Sequence, residues 1–426
     1  MTKIETLLKT LCPNGVTCYK LNELFDQFSG MTGVTNKWAD NGNCHFVDYM
    51  NAYTHISIDV ADLPYATVKN LNQNTVMQGD ILFTSASETP DECAVSSVIE
   101  VEIQEGIFLD DHLFGLRIKS EYKSKINPSF LKYAFRARTF RFQMKKAVRG
   151  VTRFYVSKPD FMKLTIPVPP LAVQGEIVRI LDNFTELTAE LTAELTAELT
   201  ARKKQYEFYR NQLLSFGNGV QNTRMTKIET LLKTLCPNGV EYKKIKDVYK
   251  RLRGTPITAG KMQEINNPAG NIRIFAGGQT VVNAFAKNIV GANVVNVPAV
   301  IVQSRGLIDF LYYEKPFTFK NEMWAYTAND KISVRYLFHL LKSKIPLFRK
   351  TAAEKGGLPQ ISLPVTEECL IPVPPLAVQG EIVKILDRFD TLCNDISMGL
   401  PAEIAARQRQ YEYYRDTLLT FKDKDV

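Results

Sequence analysis

The sequence predicts an α+β chain built as a pseudo-two-fold tandem duplication, with two domains of mixed short strands and helices framed by two long helices. Three observations carry that expectation. The first sixteen residues, MTKIETLLKTLCPNGV, return letter for letter at 225–240. The stretch Ile166–Phe216 (IPVPPLAVQGEIVRILDNF…YEFYRNQLLSF) returns without a gap at Ile371–Phe421 (IPVPPLAVQGEIVKILDRF…YEYYRDTLLTF). Inside the first copy, TAEL is written three times in succession, at 188–191, 192–195 and 196–199. A repeat of this kind is read before any local propensity, because it sets the architecture.

These repeats divide the chain into six parts. A repeated segment, 1–16, leads into a first insert, 17–165, and then into a long helix with its linker, 166–224. The second round runs 225–240, 241–370 and 371–426. The two offsets, 224 and 205, leave the interior of the second half 19 residues shorter.

Bulk properties suit two or three folded domains. Of the 426 residues, 45% are hydrophobic and 23% charged. No run of eighteen apolar residues exists, so a membrane-spanning helix is excluded. The segment MTKIETLLKTL lacks the apolar core of a signal peptide, which makes the cytoplasm the expected compartment. Seven scattered cysteines without a CxxC, and four histidines without paired spacing, argue against a structural zinc site. The cysteines read as small buried residues in a reducing compartment. A net charge of +8 is a mild bias towards nucleic acid, and where the charge sits matters more.

In chain order, each half opens on a short helical segment. Leu21-Asn-Glu-Leu24 then matches Ile245-Lys-Asp-Val248, and Gly30-Met-Thr matches Gly254-Thr-Pro. Both inserts become rich in Asn, Gly and Thr, with short β-type runs such as Asp80–Thr84 and Ala299–Val302. Each closes on a helix, expected over Pro128–Lys146 and Val334–Lys350. A glycine turn follows (Gly150; Gly356-Gly357), then a β-type run, Phe154–Ser157 or Gln360–Leu363.

Leu171–Phe216 would be about 69 Å long as one helix. Pro170 suits its start, since a fixed φ and a missing N–H cost nothing there. Gly175 weakens the first turns. The array places Leu187, Leu191, Leu195 and Leu199 four residues apart. Because four exceeds 3.6, the stripe drifts about 40° per repeat. Its natural partner is the second long helix, which carries Leu392 and Ile396 on its apolar positions, with a break expected at Pro401.

Catalytic motifs are missing. The only Pro-Pro pairs, Pro169-Pro170 and Pro374-Pro375, precede leucine, unlike the Asn/Asp-Pro-Pro-aromatic loop of an adenine methyltransferase. Gly254–Met262 nearly spells a P-loop, but with five residues between its glycines and Met262 where Mg²⁺ needs a hydroxyl. A Gly/Pro loop is the better reading. Acidic pairs such as Asp110-Asp111 read as turn residues.

What remains is a basic, aromatic-interleaved edge in each half. In the first, Lys132, Arg136, Arg138, Arg141, Lys145, Lys146, Arg149 and Arg153 sit among Tyr133, Phe135, Phe140, Phe142 and Phe154. In the second, Arg335, Lys342, Lys344, Arg349, Lys350 and Lys355 do the same at lower density, with Arg136 and Arg138 opposite Lys342 and Lys344. Such clusters can neutralise phosphates. Two similar domains on a rigid strut suit a ligand with two separated sites, and duplex DNA is one. The competing reading is a coiled-coil adaptor or scaffold whose inserts bind protein.

Taken together, the two inserts, the duplicated IPVPPLAVQGEIV[RK]ILD run, the paired helix ends and the TAEL array resemble the specificity subunit of type I restriction–modification systems, in its TAEL-repeat branch. The resemblance covers essentially the whole chain. It implies that 17–165 and 241–370 are two target-recognition domains, each reading one half of a bipartite asymmetric DNA target. It also implies that the long helices form an antiparallel coiled coil that spaces them. By the same resemblance the chain is non-catalytic and binds no cofactor. It would position two modification subunits carrying S-adenosylmethionine, for adenine-N6 methylation, and restriction subunits using ATP and Mg²⁺.

Overall fold

The computed structural model describes residues 2–103, 106–216, 226–277, 280–289, 291–353, 358–395 and 398–424. The chain separates into two compact units, Met1–Ala193 with Ala405–Val426, and Glu194–Ile404. Each unit therefore draws one helical segment from the other half of the sequence.

The units share one plan. In the first, a four-stranded sheet runs in the order Phe25–Ser29, Leu113–Ile118, Ile81–Thr84, Ser96–Val98, with every neighbour antiparallel. In the second, Lys250–Arg253, Trp324–Thr327, Ala299–Gln303 and Asp309–Tyr313 repeat that order and sense. The expected β-runs are thus inner strands. Ile81–Thr84 and Ala299–Gln303 are buried along their whole length, which is why they read as continuous apolar runs rather than alternating ones. On the first sheet Phe83 packs edge-on against Phe135 and Phe161, at 5.0 and 5.1 Å between centroids, each fully buried. Burying a ring of that size contributes about 1.5–3 kcal/mol.

A smaller sheet is also duplicated. Cys44–Val47 lies parallel to Ile107–Leu109 and antiparallel to Tyr65–Val68; Ile272–Phe275 stands likewise between Phe317–Phe319 and Val281–Ala284. The first unit adds an edge strand, Val34–Lys37, among the described residues. The aligned glycines have one cause. A Cβ on Gly30 would lie 2.0 Å from the Asp110 carbonyl oxygen, and one on Gly254 would lie 2.5 Å from that of Lys320. Backbone crosses backbone at the same point in both units.

Each closing helix is two helices, not one. Pro128–Ala134 and Arg138–Met144 replace the expected single run, as do Lys331–Ser343 and Ile345–Ala353. In the second unit Pro346 enforces the break, because it has no N–H to continue the ladder. In the first, the turn frees the Arg138 N–H, which donates to Asp416 at 3.0 Å. Phe154–Val156 is a strand as expected, whereas Gln360 makes only a bridge to Arg305 and Leu363 opens a helix with Pro364 in its first turn.

The long helix runs Leu171–Ser215. Its covered positions include three of the four stripe leucines and leave out the first. Leu187 is 62% exposed, against the sequence expectation, while Leu195 is buried and Leu191 and Leu199 are half-buried. The covered set (181, 184, 188, 191, 195, 199, 202, 206, 209, 213) steps by three and four, the 3.5-residue period of a paired helix. A strict four-residue repeat outruns that seam, so its first leucine turns to solvent and Thr188 takes the adjacent place. The second long segment is two helices, Leu376–Asn394 and Leu400–Leu418. Its break precedes Pro401, which sits in a first turn where its missing N–H is harmless. Leu392 is half-buried, and Ile396 lies outside the described residues. No helix among the described residues is long and apolar enough to cross a membrane.

Helix pairing is antiparallel within each unit, and the same ring stacking recurs. Phe184 stacks on Tyr414 at 5.3 Å in the first unit; Phe389 stacks on Tyr209 at 5.6 Å in the second. The repeated sixteen-residue segments dock alike too. Lys3 pairs with Glu176 and Lys227 with Glu381, both at 2.7 Å. Arg179 and Lys3 together hold the Glu176 carboxyl down at about 2.

Candidate nucleic-acid interface

The basic edges separate into inward and outward cations once their partners are known. Lys132 is buried, with its ammonium 2.8 Å from Asp182 and 3.1 Å from Glu100. Arg136 donates to the Ser96 carbonyl at 2.9 Å and to that of His55 at 3.1 Å, and burial lowers its pKa to about 10. Arg141 donates to the carbonyls of Ala94, Asp91 and Cys93 at 2.6–2.8 Å, and burial lowers its pKa as well. In the second unit Lys342 reaches Asp309 at 2.6 Å and Arg349 donates to the Ile308 carbonyl at 3.2 Å.

These bonds explain the cations kept at matching positions. Ser96 and Asp309 open the edge strands of the equivalent sheets, Ser96–Val98 and Asp309–Tyr313. Arg136 and Lys342 therefore pin each closing helix to its sheet. Sequence alone placed Lys132, Arg136, Arg141 and Lys342 on the DNA-facing edge. Burial and internal partners instead make them internal ties: three of the five N–H donors of Arg136 and of Arg141 go to backbone carbonyls, and the ammonium groups of Lys132 and Lys342 sit on carboxylates.

The outward cations gather on one hairpin. Strands Val148–Gly150 and Phe154–Val156 pair antiparallel, and Phe154–Val156 pairs onward with Ala86–Ser87. Gly150 has φ +119°, and a Cβ there would lie 2.1 Å from the Arg153 carbonyl oxygen, so the turn demands glycine. Lys145, Lys146, Arg149 and Arg153 are exposed on this hairpin or just before it in the chain, and Arg138 is exposed at the start of the preceding helix. Val151 at its tip is 88% exposed, and Phe142 and Tyr155 are exposed beside it. Arg149 shares Asp160 with Lys163, at 2.7 and 3.2 Å, which steadies the hairpin base. Exposed aromatics between exposed cations offer ring faces and charge together.

The second unit carries a sparser equivalent. Arg305 bridges Gln360 at the place where Ser87 pairs with Phe154 in the first. Arg305, Arg349 and Lys350 are exposed there, and Lys344 is half-buried. Lys355 lies outside the described residues. Arg305 was missed in the sequence because it stands well before its neighbours in the chain. The edge strand Lys250–Arg253 was missed as well, although three cations in four residues were a visible signal. Lys250, Arg251 and Arg253 are exposed, with Arg251 3.5 Å from Glu367.

In each unit a polar node joins the closing helix to both helices of its seam. In the first unit the Tyr133 hydroxyl donates to Asp182 at 2.6 Å and lies 3.3 Å from Thr185, which meets Tyr411 at 3.1 Å. In the second, His339 lies 3.1 Å from the Tyr206 hydroxyl and 2.7 Å from Asp387. Arg335 binds Asp387 and Asp390, at 2.7 and 3.1 Å. The roles match, although only the aspartates and the outer tyrosines are identical in sequence.

Among the described residues the one cluster with metal-ligand types is Asp110, Asp111 and His112. The Lys37 ammonium already lies between the two carboxylates, 3.1 Å from Asp110, so the cluster is a closed ion-pair turn. Gly260 and Lys261 of the near P-loop fall inside the short helix Ala259–Glu264, where Lys261 pairs with Glu264 at 2.7 Å. The loop reading of that segment holds only up to Thr258.

Two units of one plan, each with outward cations on the matching edge and a helical seam behind it, define a duplicated recognition protein. The chain belongs to the type I restriction–modification specificity family: the family described as "Type I restriction modification DNA specificity domain" matches residues 13–201 and 237–406. Specificity subunits are the non-catalytic members of their complexes.

The chain is 36% identical to the specificity subunit of the type I restriction enzymes EcoR124I and EcoR124II of Escherichia coli. That alignment covers 63% of this chain and 66% of the relative. It is 31% identical to a putative type I specificity subunit of Mycoplasma pneumoniae, over 70% of this chain and 83% of that one. A chain from a study of type I complex assembly and conformational transition shares the fold, with a TM-score of 0.64 over 95% of this chain and 97% of the other, at 14% identity.

Proposed function

We propose that this chain is the DNA-reading subunit of a type I restriction–modification complex and recognises a bipartite, asymmetric duplex target. The observation that carries the reading is the recurrence of one recognition plan in two units whose exposed surfaces differ. The Arg149–Arg153 hairpin occupies in one the place held by Arg305, Arg349 and Lys350 in the other. A shared plan presents each surface in the same way, and different surface residues read different half-sites.

The helical seam serves as the spacer and as the platform for two modification subunits. Those subunits supply S-adenosylmethionine chemistry on adenine N6, and restriction subunits supply ATP-dependent cleavage. This chain itself holds no cofactor. Its place of work is the cytoplasm, where the DNA is. Each TAEL unit adds about 6 Å of helix, so repeat number tunes the spacing of the half-sites.

The test is duplex binding by the chain with its modification subunit across a salt series. Replacing Arg149 and Arg153 by alanine lowers the slope of log K against log salt by about 0.9 for each phosphate left without its cation. The reading fails if the unsubstituted complex binds DNA with no salt dependence, or not at all, which is the outcome an adaptor predicts.

A further inference from the structure

The first unit carries one feature that its twin lacks among the described residues. It is the extra edge strand Val34–Lys37, which ends on Trp38. Trp38 has φ +60°, in the left-handed region that disfavours side chains with a Cβ. Its indole is 63% exposed and touches the small core only by its edge, 5.6 Å from Phe46 at 71°. Phe46 is fully buried. An aromatic held in a strained backbone, with most of its ring left in water, returns little to the fold.

The backbone on either side is fixed. Lys37 is tied to Asp110 at 3.1 Å and to Asp111, and the Ala39 N–H donates to the Tyr65 carbonyl at 3.1 Å. Register places Asn36 opposite Thr67, on the face away from the core, since their neighbours Ala66 and Val68 are buried. Asn36 is exposed, and Tyr65 on that same face is 41% exposed and packs against His45 at 3.9 Å, with the rings tilted by 38°. This is a rigid ledge of ring faces and amide, hydroxyl and imidazole groups whose Lys37 is spent internally, with the exposed Lys69 standing at its far end, past Val68. Phosphate binding needs free cations. Base edges need flat apolar contact beside neutral donors and acceptors, with asparagine suited to adenine.

We propose that Trp38, with Asn36 and Tyr65 beside it, contacts bases of the half-site read by the first unit. This rests on the DNA-recognition reading above and names a specificity residue within it. The strain at Trp38 aims the ring, and the anchored Lys37 keeps it aimed.

The chain has two tryptophans, and the other, Trp324, is buried with its indole N–H on Thr366 at 2.9 Å. A Trp324→Phe chain carrying fluorotryptophan, assembled with unlabelled modification subunit, therefore reports Trp38 alone. The probe is the duplex defined by mapping methylated adenines in cells carrying the unsubstituted chain. We expect the Trp38 fluorine resonance to shift on adding that duplex and to stay unchanged on assembly with the modification subunit alone. Separately, Trp38→Ala should cut the preference for the first half-site over single-base variants by roughly tenfold. Discrimination at the second half-site should persist, and Trp38→Phe should restore part of the loss.

Intact DNA binding with no change in the Trp38 resonance and unaltered discrimination overturns the proposal. So does a shift on adding modification subunit without DNA, which would make Trp38 a protein contact. Failure of the unsubstituted complex to bind DNA removes the underlying reading, and this proposal with it.

Discussion

Mild acid should loosen the second unit before the first, and His339 is the reason. Its ring is fully buried between Tyr206, at 3.1 Å, and Asp387, at 2.7 Å. With Nε2–H donating to Asp387, Nδ1 accepts from the tyrosine hydroxyl, so the neutral ring satisfies both partners. A second proton would go on Nδ1, force the Tyr206 hydroxyl to turn from donor to acceptor and add charge near Arg335. Burial, the largest cause, lowers the His339 pKa, and Arg335 adds to it against the opposing pull of Asp387.

The unfolded chain takes up a proton near pH 6.5, the ordinary histidine value, and the folded chain does not. Stability is therefore complete above pH 6.5 and falls as pH drops below it. One proton gives up to about 1 kcal/mol over the first pH unit below that value, or about 2–4 °C in melting temperature for a unit of this size. The shifted carboxylates cannot mimic this. Asp387, Glu176 and Glu368 are all lowered from ordinary values of 3.8 to 4.5 and lose their contributions only below that range.

Trp324 supplies the assay. In a Trp38→Phe background its emission follows the second unit alone, and its melting can be scanned from about pH 7 to about pH 5. A His339→Gln variant keeps a donor and an acceptor but no titration, and its melting temperature should be flat across that window. An equal slope in both proteins would refute the assignment to His339.

Three further outcomes are expected. Arg136→Ala strands the Ser96 and His55 carbonyls and should cost about 1–3 kcal/mol in thermal or denaturant unfolding, with the salt slope of DNA binding unchanged. Deleting Thr192–Leu195 removes about 6 Å of helix and should shorten the spacer while both half-sites stay the same, as read by sequencing methylated adenines. Gly150→Ala forces a Cβ against the Arg153 carbonyl and should release the hairpin, raising hydrogen exchange across 148–156 and weakening DNA binding without lowering the global melting temperature by more than a few degrees.

The sequence by itself determined the duplication, the existence of both long helices, the inner strands and the family. Repeats, a proline hinge and continuous apolar runs are local signals, and each specifies its element without reference to distant chain. Tertiary structure decided the rest, because it concerns which distant groups meet. Arg136 and Arg149 look alike in sequence. One is tied to the Ser96 and His55 carbonyls, and the other stands in water on a hairpin. Leu187 and Leu195 lie on the same four-residue leucine spacing, yet only Leu195 is covered, since the 3.5-residue seam and the four-residue repeat fall out of step. The pairing of Tyr206 with His339 and of Tyr411 with Thr185 closes each unit with a helix from the opposite half, over 133 and 226 residues of chain. No window of sequence spans that distance. Only burial and hydrogen-bond satisfaction in the folded chain select those partners.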